Sequence, residues 1–115
     1  MQKKEHFFNQ MVRKVRKELF GKGPEDVHTI FVENKVITTM RGNLTPVEKL
    51  LAQTEQGMLM VHQARTKLIQ EYYGRQVPEG MEELIGSKLV RLFSDIHVKD
   101  DEAVSVFVFE KPVRN

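Results

Sequence analysis

The chain has no cysteine and no tryptophan, only four prolines, and no apolar run approaching 18 residues. Without cysteine there are no disulfides, no thiolate nucleophile and no thiolate metal ligand. Without a long apolar run, no segment is suited to cross a bilayer as a helix. The opening residues, Met1 to Phe8, lack the apolar stretch and small-residue cleavage site of a signal peptide. Together these absences point to the cytoplasm. What is present is 40% apolar and 30% charged residues, a composition that excludes disordered and collagenous chains. At 115 residues one domain is expected over residues 1–115. A chain of this length buries roughly two-thirds of its unfolded surface and needs no metal or disulfide to hold a core.

Charge is unevenly spread. Residues 1–24 hold seven basic and two acidic side chains, a net +5, whereas residues 25–115 hold eleven basic and fourteen acidic, a net −3. Arg13, Lys14 and Lys17 are therefore candidate contacts for an anionic partner. A basic helix of this kind binds nucleic acid in a salt-dependent way, or simply forms the solvated face of a packed helix. Single-strand binding also wants exposed aromatics, and Phe7 and Phe8 sit at the amino end, where one at least reads as core.

Periodicity predicts the elements. Phe8, Met11, Val12, Val15 and Leu19 form an apolar stripe, so a helix is expected over residues 3–20, with Gly21, Gly23 and Pro24 stopping it. Residues 26–32 and 36–40 read as two strands of a hairpin, with Asn34 supplying the left-handed turn residue. Thr45-Pro46-Val47-Glu48 is a capping box with proline at the first helical position. Behind it no proline interrupts residues 47–73, predicting one helix of 27 residues, about 40 Å long. Gly57 is the single bending point. A compact chain of this size is only about 30–35 Å across, so such a helix would overhang its sheet and pack on a second copy.

Residues 78–86 read as a short helix closed by Gly86, and residues 88–98 and 103–109 as a second hairpin turning at residues 99–102. The last strand is apolar on both faces, as a central strand is. Residues 111–115 form a frayed tail. The order α-ββ-αα-ββ defines an α+β two-layer sandwich, a four-stranded antiparallel sheet with helices on one face. Helix, glycine and hairpin occur twice, a faint internal repeat.

Candidate chemistry is sparse. His6, His28, His62 and His97 have no zinc-motif spacing. Gly21-Lys22-Gly23-Pro24 follows a helix and precedes a strand, the reverse of a phosphate loop. Asp95 and His97 share one strand face with Arg91. A carboxylate beside an imidazole can orient a general base, and an ordinary surface ion pair has the same composition.

The stretch Gly21-Lys-Gly-Pro24, the hairpin through Val36 to Gly42, the run Gly42-Asn-Leu-Thr-Pro-Val-Glu48 and the segment Leu92-Phe-Ser-Asp-Ile96 resemble the MpsC-like domain family over about residues 5–110. The resemblance implies a small bacterial cytoplasmic protein tied to a proposed sodium-translocating, membrane-potential-generating system connected with inorganic-carbon uptake. It carries over no catalytic residue. Gly21, Gly23, Pro24, Gly42, Thr45 and Glu48 are matched positions with structural explanations, and Asp95 is a matched carboxylate without one. The expected protein is a non-enzymatic accessory homodimer with no cofactor, no bound metal and no inserted segment, meeting a protein partner at a transport system. The alternatives are a nucleic-acid module using Arg13, Lys14 and Lys17, and a small-molecule binder or enzyme using Asp95 and His97.

Overall fold

In the computed structural model, which describes residues 2–113, the stripe of the first segment becomes α1 (Gln2–Phe20). Its Phe8, Val12 and Val15 are buried. Two hairpins follow the expected positions: β1 (Asp26–Val32) with β2 (Lys35–Arg41), and β3 (Leu89–His97) with β4 (Glu102–Phe109). Between them lie α2 (Pro46–Leu51), α3 (Glu55–Arg75) and α4 (Met81–Ile85). The strands form one antiparallel sheet in the order β1-β2-β4-β3. The doubly apolar β4 is indeed interior.

Alternation along the strands separates two faces. Val36, Met40, Ile96, Ala103, Phe107 and Phe109 point inward and join one core with Phe8, Val12, Val61 and Ile85. Phe107 receives two aromatic edges, Phe8 from α1 at 5.0 Å and Tyr73 from α3 at 5.7 Å between ring centres. The helices thus cover this face. The opposite face carries Ile30, Val32, Phe93 and Val104, all exposed.

Three expectations are corrected. The helix expected over residues 47–73 is broken: α2 ends at Leu51 and α3 starts at Glu55. Thr54, inside the expected helix, is in fact a cap, its Oγ1 accepting from the Gly57 N–H at 2.9 Å. The break lies N-terminal to Gly57, which sits against the preceding segment. A Cβ there would lie 1.6 Å from the Leu51 carbonyl oxygen, so only glycine permits the approach. The 21 residues of α3 span about 31 Å within a molecule 43 Å long, and the overhang argument for a second copy falls. In the first hairpin the left-handed residue is Glu33, φ 57°. Asn34 instead donates its amide to the Phe109 carbonyl at 3.0 Å. Of the expected tail, Val113 is held by an N–H donated to the Glu33 carbonyl at 2.7 Å, and residues 114–115 lie outside the described residues.

Candidate functional site

Across the inner sheet face runs a row of hydroxyls in register: Thr29 opposite Thr38, Thr38 opposite Ser105, Ser105 opposite Ser94. In each hairpin the two hydroxyls pair, Thr29 with Thr38 at 3.0 Å and Ser94 with Ser105 at 2.8 Å. Helix α1 lays one polar side chain on each pair. Thr29 donates to Asn9 Oδ1 at 2.5 Å. Arg16 Nη2 donates to Ser105 Oγ at 3.2 Å and to Ser94 Oγ at 3.4 Å. Asn9 and Arg16 stand seven residues apart, two turns of one helix face, which is how α1 reaches both rungs.

Arg16 is 5% exposed, and among the described residues no carboxylate forms an ion pair with it. Burial pulls its pKa down to about 10, with Tyr73 opposing and Arg65 adding to the fall. Arg65, 3% exposed, is differently placed. Its Nε and Nη2 each donate to Glu48 at 2.7 Å, and Nη2 also donates to the Asn43 carbonyl at 2.8 Å. The Arg65 guanidinium stacks on Phe20 at 4.0 Å, and Arg16 stands 5.9 Å from the same ring. Two buried cations therefore lie by one ring, and among the described residues only Arg65 has a carboxylate partner. Burial pushes the Glu48 carboxyl up, but hydrogen bonds from Arg65 and the Thr45 N–H outweigh that and hold it below its ordinary value.

Beside this cluster, a groove of about 650 Å³ runs between α3 and β3. Ile69, Tyr73, Leu92, Phe93, Val104 and Val106 supply its apolar wall, and Thr66, Gln70, Ser94 and Asp95 its polar positions. The Thr66 hydroxyl is buried without a hydrogen-bond partner among the described residues. The volume falls within the usual ligand range of ~300–1,000 Å³.

Asp95 sits at the rim, paired with His62 of α3 at 2.6 Å rather than with His97. The hydrogen bond from His62, then the Ile96 N–H, holds the Asp95 carboxyl below its ordinary value. His97 instead meets Asp100 at 3.2 Å. Asp95 and His97 do share the outer sheet face with Arg91, but each carboxylate–imidazole pair forms with a different partner. Arg91 is exposed next to the bulge in β3. Arg13, Lys14 and Lys17 are exposed on α1, and Arg13 donates to the Glu25 carbonyl at 3.3 Å. Thr45 and Glu48 form the expected capping box. Gly42 has φ 69°, and a Cβ there would meet Glu25 at 2.7 Å. Gly21 has φ 80°, a Cβ on Gly23 would lie 3.3 Å from the Arg13 carbonyl oxygen, and Pro24 is buried. Among the described residues, no three histidine, aspartate or glutamate side chains gather as a metal site.

Sequence reasoning missed Arg16, Arg65 and the serine pair. The signal for Arg16 was its position four residues after Val12, on the buried stripe rather than the wet face.

With this geometry in view, comparison places the chain. It belongs to the MpsC family, described as a Na+-translocating membrane potential-generating system, which matches residues 1–111. It is 58% identical over 113 residues to the uncharacterized protein YrhF of Bacillus subtilis (strain 168), covering 98% of this chain and 93% of that protein. It is 28% identical over 95 residues to the uncharacterized protein YbcI of the same strain, covering 79% of this chain and 73% of that one. No solved structure matches. Among the described residues, no helix is long and apolar enough to cross a membrane.

Proposed function

We propose that this protein is a non-enzymatic, cytoplasmic accessory subunit of the membrane-potential-generating system for which its family is named, acting as a homodimer through protein–protein contact. The observation that carries this reading is the uncovered sheet face. Phe93 is 59% exposed, Ile30 45% and Val32 43%, and Ile37, Val106 and Val108 lie between them, half-buried. Four strands about 4.8 Å apart, each of seven to nine residues at ~3.3 Å, present a face of roughly 19 by 25 Å. Ile30, Ile37, Val106 and Phe93 stand in register as one apolar row across all four strands, with Lys35, Arg91 and Asp95 at its margins, and an exposed row of this kind suits an interaction site. A second copy satisfies it by face-to-face packing of sheets about 10 Å apart. Val47, Leu50, Leu59 and Met60 make a separate exposed apolar surface on α2 and the start of α3, and this is where the partner protein docks.

Sedimentation equilibrium between 1 and 100 µM tests the reading. A 27 kDa particle, twice the 13.4 kDa chain, is expected, and Ile30→Asp with Val32→Asp on the edge strand β1 should return it to a monomer. A wild-type protein that stays monomeric at 100 µM overturns the homodimer. Crosslinking in the native cell that captures no transport protein through α2 overturns the accessory role.

A further inference from the structure

We infer that the groove between α3 and β3 binds a monoanionic amphiphile, a carboxylate carried on an apolar chain or ring, with its charge drawn to Arg16 through the Ser94 hydroxyl. Phe93 and Val106 belong both to the uncovered sheet face and to the groove wall, so the two readings are separated by substitutions on β1, at the far side of the sheet from β3.

Charge is the first reason. A buried cation is ordinarily paired, because an unpaired one forfeits its hydration without return. Arg65 has its carboxylate in Glu48. Arg16, buried as deeply, meets two neutral hydroxyls and stands over the Phe20 ring at 5.9 Å, with no carboxylate beside it among the described residues. The cluster thus holds one positive charge in excess, which one negative charge from outside would balance. A phosphate monoester, near two charges at neutral pH, would bring a charge that no second free cation meets.

Proton arrangement is the second reason. Each serine hydroxyl owns one proton and two acceptor positions. Arg16 donates to both oxygens, so one serine donates to the other and one proton is left over. Ser105 is 1% exposed, and a proton stranded on it would find no acceptor. With Ser105 donating to Ser94, the spare proton belongs to Ser94, which lines the groove. Donation from a guanidinium polarises that O–H and strengthens what it donates outward. The Thr66 hydroxyl, without a partner and also on the groove wall, is a second donor available to a carboxylate. Apart from Gln70 and the Asp95 carboxylate at the rim, which His62 holds at 2.6 Å, the rest of the wall is apolar, and this sets the ligand's body.

The test is isothermal titration of the full chain with decanoate, decanol and decyl phosphate. Decanoate should bind at least tenfold more tightly than the uncharged alcohol and more tightly than the phosphate. Arg16→Met should abolish the preference over decanol while leaving the melting temperature equal to or above that of the wild type, since it removes a buried charge that lacks a counter-ion. Gly74→Leu is the second variant, for its Cβ meets no atom within 4 Å and its side chain enters the groove from the α3 wall; it should weaken decanoate at least tenfold in a normally folded protein. Equal binding of acid and alcohol, tighter binding of the phosphate, undiminished binding by either variant, or no binding of decanoate overturns the inference. The Ile30→Asp, Val32→Asp monomer should bind decanoate as the wild type does, so loss of dimerisation and loss of binding are read separately.

Discussion

Placing a methyl group on Gly57 separates two readings of residues 46–75. If the segment were one straight helix, Gly57→Ala would gain about 0.5–1 kcal/mol, the ordinary cost of an interior glycine. In the observed structure the new Cβ falls 1.6 Å from the Leu51 carbonyl oxygen and 2.6 Å from its carbon. Those are backbone atoms and cannot swing aside, so the α2–α3 corner must open. Overpacking typically costs 1–3 kcal/mol, and a clash with fixed backbone belongs at the upper end, about 3 kcal/mol. For a chain of this size that is a fall in Tm of about 12 °C. Gly74→Ala is the control within the same helix, because nothing lies within 4 Å of its Cβ and a gain of about 0.5 kcal/mol is expected. Thermal and urea unfolding by circular dichroism give both numbers. A Gly57→Ala protein as stable as the wild type, or more so, would refute the broken-helix geometry.

Arg65→Ala should be among the costliest single changes, about 3–5 kcal/mol by urea unfolding, because it leaves the half-buried Glu48 without its cation; a cost below 1 kcal/mol would mean that the pair does not form. The exposed Arg41–Glu102 pair, at 2.7 Å, should contribute less than about 1 kcal/mol in a double-mutant cycle, and less again in high salt. Because the folded Glu48 carboxyl is held below its ordinary value, its stabilisation is complete above the unfolded carboxylate pKa of about 4.3 and is lost as pH falls through the folded value. Glu48→Gln should therefore flatten the acid limb of a stability–pH curve. Asp95→Asn should change it little, since that carboxylate, although also lowered, is largely in water; equal slopes in wild type and Glu48→Gln would contradict the assignment.

The fold was largely legible because its signals are local. The stripe of α1, the Thr45 capping box and the alternation of β4 each lie within one element, and the doubly apolar β4 even revealed its central place. The corner at residues 52–54 was misread because Thr54 satisfied the helical spacing while belonging to a cap. Its flanks, Gln53 and the Glu55-Gln56-Gly57 run, hold no apolar residue, and that gap was the available sign. The site was harder for a physical reason. Arg16 meets Ser94 and Ser105 across 78 and 89 residues, and His62 meets Asp95 across 33. Such pairings depend on the strand order β1-β2-β4-β3, which no local pattern encodes. Asp95 was read beside His97 on its own strand, whereas its imidazole comes from His62 on α3.

Helix α2 has six residues and none of them is buried, too short and too exposed to persist alone. Its first turn is nevertheless gripped by Arg65, 17 residues further along the chain in α3, so α2 cannot melt without also uncovering that guanidinium. Amide protons of residues 48–52 should consequently exchange with solvent on the same slow clock as those near Arg65. An outlying scrap of helix thereby shares the cooperativity of the centre, and the apolar side chains it displays are held at a constant attitude toward whatever comes to meet them.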